Sequence, residues 1–151
     1  MWSSSDGIHW TQVNTAAAFG QRYEANCVVF NNLMWVFGGY NAFNVYQTDA
    51  WSSPDGITWT QKTKFAFPVR EGFGTAAYGG LMWVFGGWGG TTLLNDVWTS
   101  PNGIAWTRAA ASAAFSPRNW PAYTVFNNSI WLIGGSDSGG NGYLGDVYHT
   151  P

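Results

Sequence analysis

The sequence has little charge, a single cysteine, two histidines and no long hydrophobic run, and each shortage excludes a class of protein. Charged residues make up 9% of the 151 residues and the net charge is −2, so we expect no nucleic-acid partner and no membrane partner. Because Cys27 stands alone, no intrachain disulfide can form. The apolar run LMWVFGG is much too short to cross a bilayer.

Residues that carry chemistry are equally scarce. His9 and His149 are the only histidines, and neither belongs to a recurring Cys, His and Asp spacing typical of a metal site. No nucleophile elbow and no phosphate-binding loop is recognisable. Cys27 lies in the apolar run NCVVF and is interpreted as a small buried hydrophobe. We therefore expect no catalytic residue, no metal and no cofactor. With no signal peptide visible, we expect a soluble protein of unknown localisation.

Aromatic side chains and glycine are abundant. Aromatic residues make up 19% of the chain, with 11 Trp, and there are 20 Gly. Strong β-formers alternating with strong turn-formers indicate an all-β protein built from many short strands.

An internal repeat of about 48 residues runs through the chain. The phrase WSSSDGIHWTQ returns as WSSPDGITWTQ and as WTSPNGIAWTR. Three arginines, three tryptophans and three Gly-Gly pairs keep the same 48-residue step: Arg22, Arg70 and Arg118; Trp35, Trp83 and Trp131; 38–39, 86–87 and 134–135. This regularity indicates a repeat architecture.

Each repeat is interpreted as four strands. The first contains ANCVVF, FGTAAY or AYTVF, and an Asn-Asn or Gly-Gly turn leads to the second, LMWVFGG or SIWLIGG. The third contains DAW, DVW or DVY, and the fourth IHWTQ, ITWTQ or IAWTR. Since the second strand is apolar on both faces, both sides must be covered. Four short antiparallel strands that need neighbours on both faces describe a propeller blade.

The repeat resembles the kelch motif. The Gly-Gly pair, the aromatic residue of DVW after a variable loop, and a Trp some eight residues later recur in fixed order. One departure is Tyr148, which stands where the other copies have Trp51 and Trp98. The resemblance implies an all-β, kelch-type propeller with three blades in this chain, and the period suits kelch better than the shorter WD40 repeat.

The turn before the fourth strand resembles a second motif, the Asp-box of sialidase-like propellers. The sequence SPDGITW is one residue shorter than that box. We interpret Asp6, Asp55 and Asn102 as turn formers whose side chains bond nearby backbone N–H groups, with calcium binding as the less favoured alternative.

The two ends of the sequence match each other within the repeat. Residues 148–151 occupy the repeat position of residues 2–5, so the sequence stops before a fourth strand and starts at one. A truncated piece of a longer propeller, natural or engineered, is the expected source. The expected units are residues 1–12, which complete a partner's last blade, blade 1 at 22–61, blade 2 at 70–108, and blade 3 at 118–151 without its fourth strand.

Three blades are too few to close into a ring. Exposed blade faces and strand edges tend to associate, and two copies meeting head to tail would give a six-bladed homodimer. A homotrimer of nine blades is the less favoured alternative. The predicted assembly interface consists of Trp2, Ile8, Trp10, Val147 and Tyr148.

Arg22, Arg70 and Arg118 are expected at the mouth of the propeller channel. Guanidinium groups recognise carboxylates and phosphates, and some kelch domains bind acidic peptides at such a mouth, so an acidic peptide or a small anion is a candidate ligand. The alternative is that each arginine braces its blade, with Glu24 and Glu71 neutralising two of them. Repetition in every blade favours bracing.

The long loops share the same rim of the predicted propeller, where binding residues concentrate. Tyr40, Trp88 and Trp120 lie in or beside these loops and are candidates for stacking on a ligand. Packing between the loops and the blades is the alternative, and we prefer it.

These features favour a non-enzymatic, self-assembling scaffold or binding module with possible ligand binding at the rim. The competing interpretation is a fragment of a carbohydrate-binding or carbohydrate-active propeller, similar to a lectin or a sialidase. Hydrolysis of that kind needs paired carboxylates, for which the rim offers Asp137, Glu24 and Glu71.

Overall fold

The computed structural model describes residues 1–137 and 142–151 and consists of short antiparallel strands. The N-terminal hairpin contains β1 (Trp2–Ser3) and β2 (Thr11–Gln12). Sheet 1 contains β3 (Asn26–Phe30), β4 (Leu33–Phe37), β5 (Ala50–Ser53) and β6 (Thr60–Thr63). Sheet 2 contains β7 (Gly74–Tyr78), β8 (Leu81–Trp88), β9 (Leu93–Ser100) and β10 (Thr107–Ala110). Sheet 3 contains β11 (Ala122–Phe126), β12 (Ser129–Gly135) and β13 (Leu144–His149).

The strands follow one another in each sheet as they do in the sequence. This all-β arrangement of antiparallel sheets fits the predicted blades. Within the described ranges, no helix is long and apolar enough to span a membrane.

Two-residue turns join the first and second strands of each sheet. Asn and Gly adopt positive φ more readily than other residues, and a tight hairpin turn requires it at both central positions. All six central residues have φ between 47° and 75°: Asn31, Asn32, Gly79, Gly80, Asn127 and Asn128. The predicted turns are confirmed.

Sheet 2 lies between sheets 1 and 3, and the first strands of the sheets form their inner edges. Thr75 on β7 donates a hydrogen bond to the Cys27 carbonyl at 3.3 Å, and Tyr78 donates to the Asn128 carbonyl at 2.7 Å. Large apolar side chains fill the two spaces between sheets. The first space contains Phe37, Phe67, Phe73 and Met82, and the second contains Phe85, Phe115, Ile130 and Leu132.

The outward faces of sheets 1 and 3 are open within the described residues. Cys27 and Val29 are exposed on sheet 1, whereas Thr75, which occupies the repeat position of Cys27 in sheet 2, is buried. On sheet 3, Ile133 and Val147 lie opposite each other and are both exposed. The expectation that Cys27 is buried is therefore wrong, because no neighbouring sheet covers its side of β3.

The fourth strands begin later than the sequence pattern predicts. The Ile-x-Trp segment belongs to the turn, because the Asp55 carboxylate accepts the N–H groups of Ile57 and Thr58 at 2.8 and 2.7 Å. These N–H groups are therefore unavailable to a strand ladder, and β6 begins at Thr60, after the tryptophan.

The N-terminal phrase forms a hairpin of its own rather than an unpaired fourth strand. Trp2 pairs with Gln12 and Ser3 with Thr11. The hairpin lies beside sheet 1, where the Asn14 side chain donates to the Ile57 carbonyl at 2.9 Å. Residues 1–12 therefore contribute two paired strands.

Candidate functional site

Each sheet contains one arginine that is paired with an aspartate of the same sheet. The pairs are Arg22 with Asp49, Arg70 with Asp96, and Arg118 with Asp146. Their closest nitrogen–oxygen distances are 2.7, 2.8 and 2.5 Å in that order, and the three arginine side chains are 3%, 0% and 0% exposed. Both carboxylate oxygens accept from the guanidinium in each pair. This fork-to-fork geometry gives strong, directional hydrogen bonds.

The Gly-Gly pairs complete these ion pairs. In sheet 2, Nη1 of Arg70 also donates to the Gly86 carbonyl at 2.9 Å, and the other two sheets repeat the bond. Gly86 and Gly87 have φ of 63° and 99°, and a Cβ on Gly87 would lie 2.8 Å from the Glu71 carbonyl oxygen. Glycine is needed here because a side chain would clash with the backbone of the preceding segment.

Hydrogen bonds and charge favour the ionised forms of Asp96 and Asp146. Burial alone would raise the pKa of Asp96, but the hydrogen bond and the charge of Arg70 outweigh it, so this pKa lies below its ordinary value. Trp98 Nε1 donates to the same carboxylate at 2.7 Å. The hydrogen bond from Arg118 likewise holds the pKa of Asp146 below its ordinary value.

Sequence reasoning missed the acids in these pairs. It considered Glu24 and Glu71, which are close to the arginines in sequence, whereas the structure pairs the arginines with third-strand aspartates. The aspartates recur before the aromatic residue in DAW, DVW and DVY, but the sequence does not show that the sheet register brings them to the arginines. Because the guanidinium groups are buried and each bonds to an aspartate and a glycine carbonyl of its own sheet, the geometry favours bracing, although Nε of Arg22 has no hydrogen-bond partner among the residues that the structure describes. Anion binding by Arg22, Arg70 and Arg118 stays a prediction.

The rim candidate Tyr40 belongs to a cluster of tyrosines. Its ring centroid lies 5.2 Å from that of Tyr23 and 4.8 Å from that of Tyr46. Burial raises the pKa of both Tyr23 and Tyr46, with further contributions from the negative charges of Glu24 and Glu71. The negative charges of both carboxylates therefore act on this cluster.

The other two rim candidates are associated with the same carboxylates. Trp120 is exposed, and its Nε1 donates to the Glu24 carboxylate at 3.1 Å. Trp88 is half-buried, and its backbone pairs with that of Glu71. Burial raises the pKa of Glu71, and the charge of Glu24 raises it further. The structure thus brings Tyr40, Trp88 and Trp120 into one aromatic and acidic rim.

An apolar cavity of about 370 Å³ opens between sheets 2 and 3. Its lining includes aromatic residues of both sheets and of the linker between them, namely Trp83, Phe85, Phe115 and Tyr148. Tyr148, a predicted interface residue, is half-buried here. Apolar cavities of this kind are ordinarily filled, because proteins pack closely.

The other predicted interface residues are strongly exposed. Trp2, Ile8 and Trp10 in the N-terminal hairpin are 59%, 77% and 58% exposed, and Val147 on sheet 3 is 53% exposed. Their role in an assembly interface stays a prediction.

The Asp-box-like turns are built as the sequence predicts. The Asp6, Asp55 and Asn102 side chains each accept two backbone N–H groups of the following residues. In each turn the tryptophan Nε1 donates to the glycine carbonyl, at 3.2, 3.1 and 3.2 Å. Their interpretation as turn formers is confirmed.

Acid is expected to weaken the turn at Asp55, and Asp55→Asn should remove this effect. Hydrogen bonds from Thr58, Ile57 and Ser53 lower the pKa of Asp55 from 3.8 to about 2. A carboxylate with a lowered folded-state pKa stabilises the fold above its unfolded-state pKa, and this contribution is lost as the pH falls from about 4 to about 2. Asn102 shows that asparagine accepts the same bonds, at 2.9 and 3.0 Å, so the variant should keep the turn.

Thermal melts at several pH values test this prediction. The melting temperature of the wild type should exceed that of Asp55→Asn by more at about pH 6 than at about pH 2. A difference that does not change with pH would contradict the assignment.

The histidines do not take part in a metal cluster. Across residues 1–137 and 142–151, no group of three or more His, Cys, Asp or Glu residues could hold a metal ion. His9 contacts Asp6 through Nδ1 at 2.7 Å, and the His149 ring stacks on Trp131 with centroids 4.7 Å apart.

A protein-family model matches almost the whole chain. The sequence model of the KLHDC2/KLHL20/DRC7 Kelch-repeats domain matches residues 2–150. No curated protein matches the chain. The matched range includes the N-terminal hairpin and all three sheets.

Proposed function

The chain belongs to the kelch-repeat family, and from this premise we propose that it is a non-enzymatic, protein-binding propeller completed by a second copy of itself. Kelch-repeat domains are protein-binding propeller modules and are generally not enzymes.

The observation that carries the homodimer is the pair of open apolar faces on one chain. Phe37 and Phe85 occupy the repeat position of Ile133 and are at most 4% exposed, whereas Ile133 is 42% exposed. In the space between sheets 1 and 2, the Phe37 ring lies 5.4 Å from that of Trp106. The corresponding neighbour of Ile133 is Trp59 of a second copy placed head to tail.

Two copies related in this way give six blades. Each copy contributes blades at 22–61, 70–108 and 118–151, and residues 1–12 join the last blade of the other copy. A head-to-tail contact of this kind closes into a ring when the rotation is a half turn. Three copies would give nine blades, above the usual range for propellers.

The aromatic and acidic rim is the proposed partner-binding face. Tyr40, Trp88 and Trp120 supply aromatic contact area at the rim, as rigid aromatic side chains do in many interfaces. An acidic peptide or a small anion bound by the arginines is the less favoured ligand, because Glu24 and Glu71 place negative charge at this edge.

Co-expression of two differently tagged copies tests the self-association. Capture of one tag should retain the other copy, because the two tagged chains have the same interfaces and therefore form mixed dimers. Ile133→Lys should abolish the capture, since it places a charge on the open face. Val45→Lys is the control, because Val45 is 52% exposed in the loop between β4 and β5 rather than on a strand of sheet 3. Retention of only the tagged copy by the wild type would contradict the proposal.

A further inference from the structure

The space between sheets 1 and 2 contains a tryptophan ring, Trp106, at the place where the space between sheets 2 and 3 has a cavity. Between sheets 1 and 2, the Trp106 ring lies 5.4 Å from the Phe37 ring and 5.0 Å from the Phe67 ring. Its Nε1 donates to the Gly103 carbonyl at 3.2 Å. The turn that carries Trp106 therefore places an indole ring between the two sheets and the linker.

The same place between sheets 2 and 3 is the 370 Å³ cavity. Phe85 and Phe115 line it, and they lie 48 residues after Phe37 and Phe67 in the repeat. Trp83, which corresponds to Trp35, also lines the cavity. The cavity thus has the walls of the Trp106 site and contains no tryptophan from a fourth strand.

The tryptophan of the repeat that lacks such a site is Trp10. It is 58% exposed, and its Nε1 donates to the Gly7 carbonyl at 3.2 Å, as Trp106 donates to Gly103. Asp6 accepts the N–H groups of Ile8 and His9, each at 2.8 Å, so the turn that presents Trp10 is already formed.

The strand next to Trp10 has its pairing edge occupied by its own chain. In sheet 2, Trp98 pairs with Arg108 and Thr99 with Thr107. In the N-terminal hairpin, Trp2 pairs with Gln12 and Ser3 with Thr11, which is the same register. β1 therefore pairs with β2 in the way that the third strand of sheet 2, β9, pairs with the fourth strand, β10. The equivalent residues of sheet 3 are Tyr148 and His149 on β13, whose second edge is unpaired within the described residues.

We propose that the seam of the homodimer is a strand exchange, in which Trp10 of one copy enters the cavity of the other and β13 replaces β1 on β2. This inference rests on the self-association proposed above and specifies its contact. Gln12 of one copy then pairs with Tyr148 of the other, and Thr11 pairs with His149. The exchange costs the two residue pairs of β1 and the backbone bonds of Met1 with Val13 and Asn14, and β13, which has six residues, supplies a longer strand in their place.

Two tryptophan substitutions test the proposal, because Trp2 and Trp10 are almost equally exposed on the same hairpin. Trp10→Ala should weaken the dimer at least about 100-fold, because a truncated interface tryptophan is a typical hot spot and each dimer has two such sites. Trp2→Ala should leave the dissociation constant unchanged or lower it, since Trp2 belongs to the displaced strand. The dissociation constants are measured by sedimentation across a dilution series.

A cysteine pair tests the register independently of any loss of affinity. In a Cys27→Ser background, chains with Thr11→Cys are mixed with chains with His149→Cys, and oxidation should give a cross-linked dimer. Gln12→Cys mixed with His149→Cys is the control, because residues one position out of register point to opposite faces. Only the first mixture should cross-link efficiently.

The outcomes separate the two proposals. A wild-type chain that stays monomeric overturns the self-association and the strand exchange together. A wild-type dimer that Trp10→Ala leaves intact, or that Trp2→Ala weakens equally, keeps the self-association and overturns the strand exchange. Cross-linking that ignores the register also overturns it.

Discussion

Arg70→Ala is expected to destabilise the protein by roughly 3–5 kcal/mol, the usual cost of removing one partner from a buried ion pair. The Arg70 side chain is fully buried, and its removal takes the Arg70 donors away from the Gly86 carbonyl and from the Asp96 carboxylate, which keeps only the Trp98 N–H. Total stabilities of domains are about 5–15 kcal/mol, so this loss is large. Urea unfolding followed by tryptophan fluorescence measures it.

Two further variants identify the source of the Arg70 effect. Arg108→Ala, which removes an exposed arginine from the same sheet, should change the free energy of unfolding by less than about 0.5 kcal/mol. The double variant Arg70→Met with Asp96→Leu should be much less destabilised than Arg70→Ala, because no unpaired charge remains. If Arg70→Ala were as stable as Arg108→Ala, the bracing role would be wrong.

Gly103→Ala is expected to cost roughly 2–5 kcal/mol, from a left-handed backbone conformation and from overpacking. Gly103 has φ of +71°, and a Cβ there would lie 2.2 Å from the Trp35 ring. Trp35 cannot easily move, because it is buried, stacks on Phe37 and donates to the Phe30 carbonyl. Urea unfolding measures the effect.

Gly7→Ala is the matched control for Gly103→Ala. Gly7 has φ of +76° in the same kind of turn, and a Cβ there would meet nothing within 4 Å. It should therefore show only the backbone cost of about 1–2 kcal/mol. Both variants are compared in a Trp10→Ala background, so that association does not contribute. Equal losses at Gly103 and Gly7 would contradict the packing argument.

The sequence predicted those features of the fold that depend on local residue types. Asn31 and Asn32 were predicted to form a turn because two adjacent residues that tolerate positive φ, placed between two apolar strands, indicate a tight hairpin. The Asp55 turn was also predicted, since its bonds reach only three residues ahead. The start of the fourth strand was not predicted correctly. It depends on which backbone N–H groups bond to the Asp55 carboxylate and so cannot pair with the third strand.

Long-range features could not be read from the sequence alone. The partner of Arg70 is Asp96 rather than the adjacent Glu71, because the sheet register, not sequence distance, decides which side chains meet. The Trp2–Gln12 pairing was missed for the same reason. The cavity beside Phe115 became visible only when the walls of the equivalent space around Trp106 could be compared with it.

The mass of the protein in solution tests the central claim most directly. Light scattering at micromolar concentration should give about twice the 16.5 kDa chain mass, as expected for a ring of two copies, and the value should fall on dilution because association follows mass action. Three times the chain mass would replace the six-bladed ring by one of nine blades. A well-behaved monomer that keeps its 16.5 kDa mass at all concentrations would contradict the self-association.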